Sequence, residues 1–356
     1  MKILLLSRHS QLGASSRLRT YQYLPYLKAC GVDVTTSFLL GDNYIKSIYT
    51  DRSKNWFSIF NAYIRRIGYL LKSYCFDLIW IEKELFPYLP ALGETLLNCA
   101  GIPFVVDYDD AIYHNYDLHP NKLIRLLMGN KIDAVMKLAN LVIAGNDYLA
   151  ERAKQAGAKW VECLPTVIDL DRYHLTPQVE NEVFTIGWIG SPGTAKYIYL
   201  IHPALSKVCK DGTAQLVLVG LEHIELEGVP VEIRSWSEKT EVANIQSFDV
   251  GIMPLQNGAW EQGKCGYKLI QYMACGKPII ASPVGVNQQI VEDGVNGFLA
   301  ESTDNWISTL KVLQGNCTLR ENMGRNGRIK VEKQYCLQVT CPHLLSLLKS
   351  VVKRSK

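Results

Sequence analysis

Two tandem α/β domains, each a parallel sheet wrapped by helices, are predicted by three observations. Short apolar runs of strand length alternate with helix-length segments along the chain. The alternation restarts once, after Tyr173. Finally, 356 residues, 48 % of them hydrophobic, are more than one ordinary core accommodates.

In the first half the runs are 3–6, 32–35, 78–81, 104–106 and 141–144; in the second they are 184–189, 216–219, 231–233, 250–253 and 278–281. Where such a run is unbroken, as at 3–6, 78–81 and 141–144, it suits a strand covered on both faces. The expected organisation is a doubly wound domain over 1–173, a linker over 174–182 and a second doubly wound domain over 183–335. The segment 336–356 has helical apolar spacing and could pack back on the first domain. Ligands of such sheets sit at the carboxyl ends of the strands, so two facing domains imply an interdomain cleft suited to a two-substrate reaction.

Composition narrows the class. A net charge of +4 excludes an acidic tail and a strongly basic nucleic-acid protein. The N-terminal apolar run spans four residues and reads as a first strand, not a signal peptide. No window approaches the roughly 20 apolar residues of a membrane span. The ten cysteines show neither Cys-x-x-Cys pairs nor histidine partners at metal-ligand spacing, so reduced thiols in the cytosol and no metal are expected.

Three loops carry the chemistry. The first strand runs into Ser7 to Arg19, where Gly13, Ser15 and Ser16 open a helix flanked by Arg17 and Arg19. A dinucleotide site needs Gly-x-Gly-x-x-Gly there, and it is missing, so what remains is a helix start able to receive a polar or anionic group. In the second half, a strand leads into Gly190, Ser191 and Gly193, with Lys196 in the first helical turn, an arrangement that exposes N–H groups and a cation to a phosphate. In the third, a helix starting near Lys264 would put Lys264, Lys268 and Gln271 on one stripe. Gly258 to Cys265 matches Gly-x4-Gly-Lys but has Cys where Ser or Thr must hold magnesium, so it reads as a false nucleotide-hydrolase motif.

At a strand end, Asp107, Asp109 and Asp110 cluster four residues or more before His114, and Glu82 and Glu84 follow the strand at 78–81. Such carboxylates either orient a hydroxyl or serve as caps and turn residues.

Taken in order, Gly13 to Arg19, Val105 to Asp110, Ala144 to Asp147, Ile186 to Gly193, Phe248 to Leu255 and Gly263 to Gly285 resemble the retaining glycosyltransferases of family 4 (glycosyl transferases group 1), which have the GT-B fold. The resemblance covers nearly the whole chain. It implies metal-independent transfer of a sugar, with retention, from a UDP- or GDP-linked donor to a hydroxyl of a saccharide or lipid-linked acceptor. The pathway it implies is cell-surface polysaccharide synthesis (lipopolysaccharide, capsule or exopolysaccharide), with no cofactor. By the same resemblance the catalytic residues are Lys196, Lys264 and Asp110. Gly190, Ser191, Gly193, Trp236, Lys268 and Gln271 would bind the donor, and Gly13, Ser15, Ser16, Arg17, Arg19, Asp109 and His114 the acceptor. Many members carry two glutamates eight positions apart around the third loop, where this chain has Gly263 and Gln271.

Residues 52–72 are basic and aromatic with no acidic residue. Two readings stand: a helix lying on anionic lipid at the inner face of the plasma membrane, or a helix buried in the first domain with its cations reaching water. Alternatives to the transferase are a nucleotide-sugar epimerase of the same fold and a non-catalytic partner subunit.

Overall fold

The computed structural model describes residues 1–44, 56–176 and 181–355. Residues 177–180 of the expected linker and 52–55 of the basic stretch lie outside these. The chain divides into two units: residues 1–166, 263–265 and 340–356 form the first, and 167–262 and 266–339 the second.

The first unit holds β1 (Lys2–His9), β2 (Asp33–Leu40), β3 (Leu78–Glu82), β4 (Phe104–Tyr108), β5 (Leu141–Ala144) and β6 (Val161–Cys163). They form one parallel sheet in the order β2-β1-β3-β4-β5-β6. β3, β4 and β5 are buried along their whole length, which is why their sequences are apolar without alternation. The second unit holds β7 (Phe184–Ile189), β8 (Ala214–Val219), β9 (Val231–Arg234), β10 (Val250–Met253), β11 (Ile279–Ala281) and β12 (Gly297–Leu299), also parallel, in the order β12-β11-β10-β7-β8-β9. Its core packs Ile186, Trp188, Leu205, Leu218 and Trp306 between sheet and helices. Each sheet therefore reverses its strand order once, between β1 and β3 and between β7 and β10. At those points the loops leave toward opposite faces and open a notch.

The third loop differs from its sequence reading. The helix runs Tyr267–Ala274 and starts after Gly266, whose φ of 64° lies in the left-handed region that favours glycine. Lys264 precedes the helix and belongs to the first unit, so it shares no helical stripe with Lys268 and Gln271.

The C-terminal helix is Leu337–Arg354. Within the first unit, Thr340 Oγ1 lies 3.2 Å from the Tyr23 hydroxyl and the Arg354 guanidinium stacks 4.1 Å from the Trp160 ring. The helix Trp56–Leu70 buries only Ala62 and Arg66, and leaves Trp56, Phe57 and Phe60 exposed. The buried-helix reading of this segment does not hold.

A Cβ on residue 266 would meet Ile290 Cδ1 at 2.3 Å as well as take up the strained φ. Gly266→Ala is expected to cost about 1–3 kcal/mol, read as a lower midpoint in urea unfolding; an unchanged midpoint would contradict the assigned backbone.

Candidate functional site

In the first unit, polar side chains converge at the carboxyl ends of β1, β3 and β4. Ser16, on the helix Ala14–Arg19, is fully buried; its hydroxyl accepts from the His9 N–H at 3.0 Å and donates to Glu82 Oε2 at 2.6 Å. The Arg8 N–H donates to the same oxygen at 2.8 Å. Burial raises the Glu82 carboxyl, against the Lys83 cation and the Ser16 bond. Arg19 is equally enclosed. Its Nε donates to Asp107 Oδ1 at 2.7 Å, and the same guanidinium reaches the Leu164 carbonyl and Thr166. Burial alone would lower its pKa, but Asp107 overrides that and raises it. Ser16 and Arg19 thus tie strands together inside the unit.

Lys83 is the centre of the cluster, and sequence reasoning passed over it. Its φ of 67° is left-handed, sparsely populated by non-glycine residues. Its Nζ lies 2.9 Å from Asp109 Oδ1, 3.8 Å from Asp110 Oδ2 and 3.2 Å from Ser15 Oγ. Burial opposes its charge, yet Asp109, Asp110 and Glu82 outweigh burial and raise it. Burial likewise opposes the Asp109 carboxylate, but Lys83 and Ser15 hold it down at about 2.

Asp110 is the more exposed of the two carboxylates beside Lys83. Lys264 Nζ pairs with its Oδ1 at 2.9 Å. The segment 263–265 is fixed by Asn146 Nδ2, which donates to the Gly263 and Lys264 carbonyls at 3.0 Å each, and by the Cys265 thiol, which donates to the Asp109 carbonyl. A Cβ at Gly263 would lie 2.6 Å from Ala111 Cβ and 2.8 Å from its N. A glutamate has no room there, and that is the physical reason for glycine. Among the remaining expected acceptor residues, Gly13 N-caps the first helix and Arg17 NH1 donates to the Gln11 carbonyl. His114 is directed elsewhere, with Nδ1 2.8 Å from Asp117 and Nε2 3.1 Å from the Tyr148 hydroxyl.

In the second unit, the ends of β7, β8 and β9 form a tight crossing. The Gly190 N–H donates to the Val219 carbonyl at 3.0 Å, extending the ladder, so this N–H does not point out toward a ligand. A Cβ at Gly220, whose φ is 95°, would meet the Gly190 carbonyl oxygen at 2.2 Å. Lys268 crosses beside Gly190 with its Nζ 5.3 Å from the Trp188 ring. Ser191 caps the four-residue helix Pro192–Ala195, Gly193 has open space around it, and Lys196 follows at the C-cap, exposed, with Nζ 5.0 Å from the Tyr197 ring. Lys196 therefore sits past this helix, not in its first turn, because the helix is only one turn long. Glu261, inside the false nucleotide-hydrolase motif, is buried and accepts from the Tyr197 hydroxyl and Gln256.

Gln271 and Trp236 join one network. Gln271 is buried and its Nε2 donates to the Tyr173 hydroxyl at 2.9 Å; that hydroxyl donates to Glu241 Oε1 at 2.6 Å, and the Trp236 indole N–H donates to Glu241 Oε2 at 2.8 Å. Half-buried Trp236 is thereby held at the end of β9, 3.5 Å from where a Cβ on Gly220 would stand. Among the described residues, no group of three or more His, Cys, Asp or Glu is placed to hold a metal ion.

Comparison with known proteins shows what this second unit is similar to. Residues 181–314 match the family model described as glycosyl transferases group 1. A curated protein of Methanocaldococcus jannaschii, described as an uncharacterized glycosyltransferase, is 34 % identical over 112 residues, 30 % of this chain. The match spans only 28 % of that relative's length. Among solved structures, the sucrose-phosphate synthase of Thermosynechococcus elongatus aligns with a TM-score of 0.73 at 13 % identity, over 99 % of this chain and 100 % of its own. HepE of Anabaena, solved with UDP-glucose, aligns with a TM-score of 0.74 at 16 % identity, over 98 % of this chain and 100 % of its own. At such identities the likeness establishes the fold, two Rossmann-like α/β domains in tandem as in GT-B proteins.

Two expectations follow. Gln271→Glu would put a second carboxylate beside the Tyr173–Glu241 pair. Burial raises the new group's folded pKa, so stability is lost as pH rises through it; a deficit of about 1–3 kcal/mol at pH 7 that shrinks toward pH 5 is expected in urea unfolding, whereas a pH-independent deficit would contradict the network. His9 is pushed down to about 4 by burial, with Arg8 and Lys83 adding, and its Nδ1 has no partner among the described residues. The unfolded chain therefore binds a proton that the native state refuses between pH 6.5 and 4. Its contribution should disappear over that window as pH falls, at up to about 1.4 kcal/mol per pH unit, and His9→Asn should flatten that part of the profile.

Proposed function

We propose that the protein is a retaining, metal-independent glycosyltransferase of family 4 that moves a sugar from a UDP- or GDP-linked donor to a hydroxyl of a saccharide or lipid-linked acceptor in cell-surface polysaccharide synthesis. The reading includes work in the cytoplasm, against the inner face of the plasma membrane. The observation that carries it is the meeting, within one unit, of the group 1 family match with a glycine crossing flanked by cations at the carboxyl end of β7, the strand that borders the strand-order reversal. That HepE was solved with UDP-glucose on the same fold supports a nucleotide-sugar donor.

The chemistry asked of the second unit is stabilisation of a departing nucleoside diphosphate. Fixed cations at the strand ends serve that need, because they act on charge that grows in the transition state. Lys268 and exposed Lys196 are the cations nearest the Gly190–Gly193 turn. Trp236, locked by Glu241, supplies a flat apolar face for the base. In the first unit, Asp110, paired with Lys264 and near Lys83, is the carboxylate offered to an acceptor hydroxyl.

Thermal-shift titration with UDP, GDP, ADP, CMP and their sugar conjugates, with and without EDTA, tests the donor assignment. Saturable stabilisation by one nucleoside diphosphate family, unaffected by chelation, is expected, since a ligand of the native state raises its apparent stability. Stabilisation by no sugar nucleotide would refute the reading. With the donor known, Lys268→Ala and Lys196→Ala should each lower turnover about a hundredfold, the scale of losing one electrostatic stabiliser; near-normal turnover in both would remove them from the site.

A further inference from the structure

The first unit carries an apolar surface larger than the helix that the basic stretch suggested. On the helix Trp56–Leu70 the exposed side chains Trp56, Phe57, Phe60, Ile64 and Ile67 recur at three- and four-residue spacing and form one face. A second helix, Lys122–Met128, exposes Leu123, Leu126 and Leu127 in the same i, i+3, i+4 pattern, with Leu126 at 81 % exposure. Solvent-facing leucines in such a stripe are not what a free surface helix shows, because the apolar face of an amphipathic helix is ordinarily the covered one.

A run of contacts through the segment between them links the two helices. The Tyr63 hydroxyl donates to the Pro87 carbonyl at 2.7 Å, and its ring lies 5.3 Å from Phe86. From there the chain passes exposed Tyr88 and Leu92. The Tyr88 ring stacks edge-on against His119 at 6.5 Å, and Arg125 NH1 donates to the Pro120 carbonyl at 3.0 Å, which reaches the second helix.

Charge is sorted across this band. Among the described charged residues on and beside the helices, Arg65, Lys72 and Lys122 are exposed and Arg125 is half-buried, and the Arg65 guanidinium also lies over the Phe38 ring and donates to the Phe38 carbonyl. Of the acidic residues of the connecting segments, Glu84 pairs with Lys131 inside the unit, Glu94 is buried and accepts from the Leu85 N–H, and half-buried Asp117 pairs with Arg152. Among the described residues the fully exposed charges at this apolar face are cations, which complements a surface of acyl chains beneath anionic headgroups.

We propose that this face, built from both helices and the band between them, docks the first unit on an anionic lipid bilayer. Among the described residues no helix is long and apolar enough to cross a membrane, so the docking is peripheral. The band reaches Glu84, the residue next to Lys83 in the chain, since Glu84 accepts from the Tyr116 hydroxyl and Tyr88 packs on the Tyr116 ring. A docked unit would hold that cluster near the headgroups. The proposal deepens the membrane part of the reading above and rests on it, but its test involves no sugar transfer, so failure of the two is distinguishable.

The test is co-sedimentation of the full chain with vesicles of phosphatidylcholine alone or with 30 % phosphatidylglycerol. Binding is expected to the anionic vesicles, weaker by about tenfold or more on neutral ones and at high salt. Leu126→Glu with Leu127→Glu, far from the basic stretch, should weaken it about tenfold or more, as should Phe57→Glu with Phe60→Glu; all four positions are exposed, and circular dichroism checks the fold. Equal binding to neutral vesicles, or no binding to either, would overturn the proposal. So would a wild-type dimer in light scattering that these substitutions convert to monomer without any vesicle binding, which would assign the face to a second copy of the chain.

Discussion

A single topological constraint organises both units: a parallel sheet whose strand order reverses must send neighbouring loops to opposite faces. Nothing fills the notch this leaves except what the strand ends themselves provide. In the second unit the ends of β7 and β8, beside the reversal, meet by backbone contact at Gly190 and Gly220, with no room for a side chain between them. Lys268 enters over that crossing from the helix after Gly266. In the first unit the equivalent position is filled with charge, through Glu82, Lys83, Asp107 and Asp109.

Those buried charges are costly, which is itself informative. Taking an ion pair out of water forfeits several kcal/mol per ion, and a packed apolar pair of similar volume is often as stable. Arg19–Asp107 offsets its cost with further bonds to Leu164 and Thr166, and reads as a brace between the helix after β1, β4 and the end of β6. Lys83–Asp109 is different, because it also holds a strained backbone at φ 67° and lies against half-buried Asp110. Strain combined with coupled charge at a strand end is the arrangement on which the proposed acceptor role of Asp110 rests.

How much of this was legible in the sequence varies with the range of the interaction. The ten apolar runs fall on ten strands, most plainly β3, β4 and β5, which are covered on both faces and so do not alternate. β6 and β12 escaped notice since three residues at a sheet edge carry no pattern. The carboxylate cluster was visible as Asp107, Asp109 and Asp110, whereas Lys83, a lone lysine between two glutamates, gives no sign that it folds back on them. Gly266 explains the misplaced helix start: a single left-handed residue severs Lys264 from the stripe that spacing suggested. Gly263 and Gln271 looked like losses against a two-glutamate pattern. Each instead answers a partner distant in sequence, Ala111 for the first and Tyr173 with Glu241 for the second.

The central claim is that the strand-order reversal of the second unit is where a nucleoside diphosphate binds. A crystal structure of the protein soaked with UDP or GDP tests it most directly. The account predicts diphosphate density at the carboxyl end of β7, within hydrogen-bond reach of Lys268 and beside the Gly190–Gly193 turn. Density for the nucleotide away from that turn, with Lys268 left against Trp188, would contradict it.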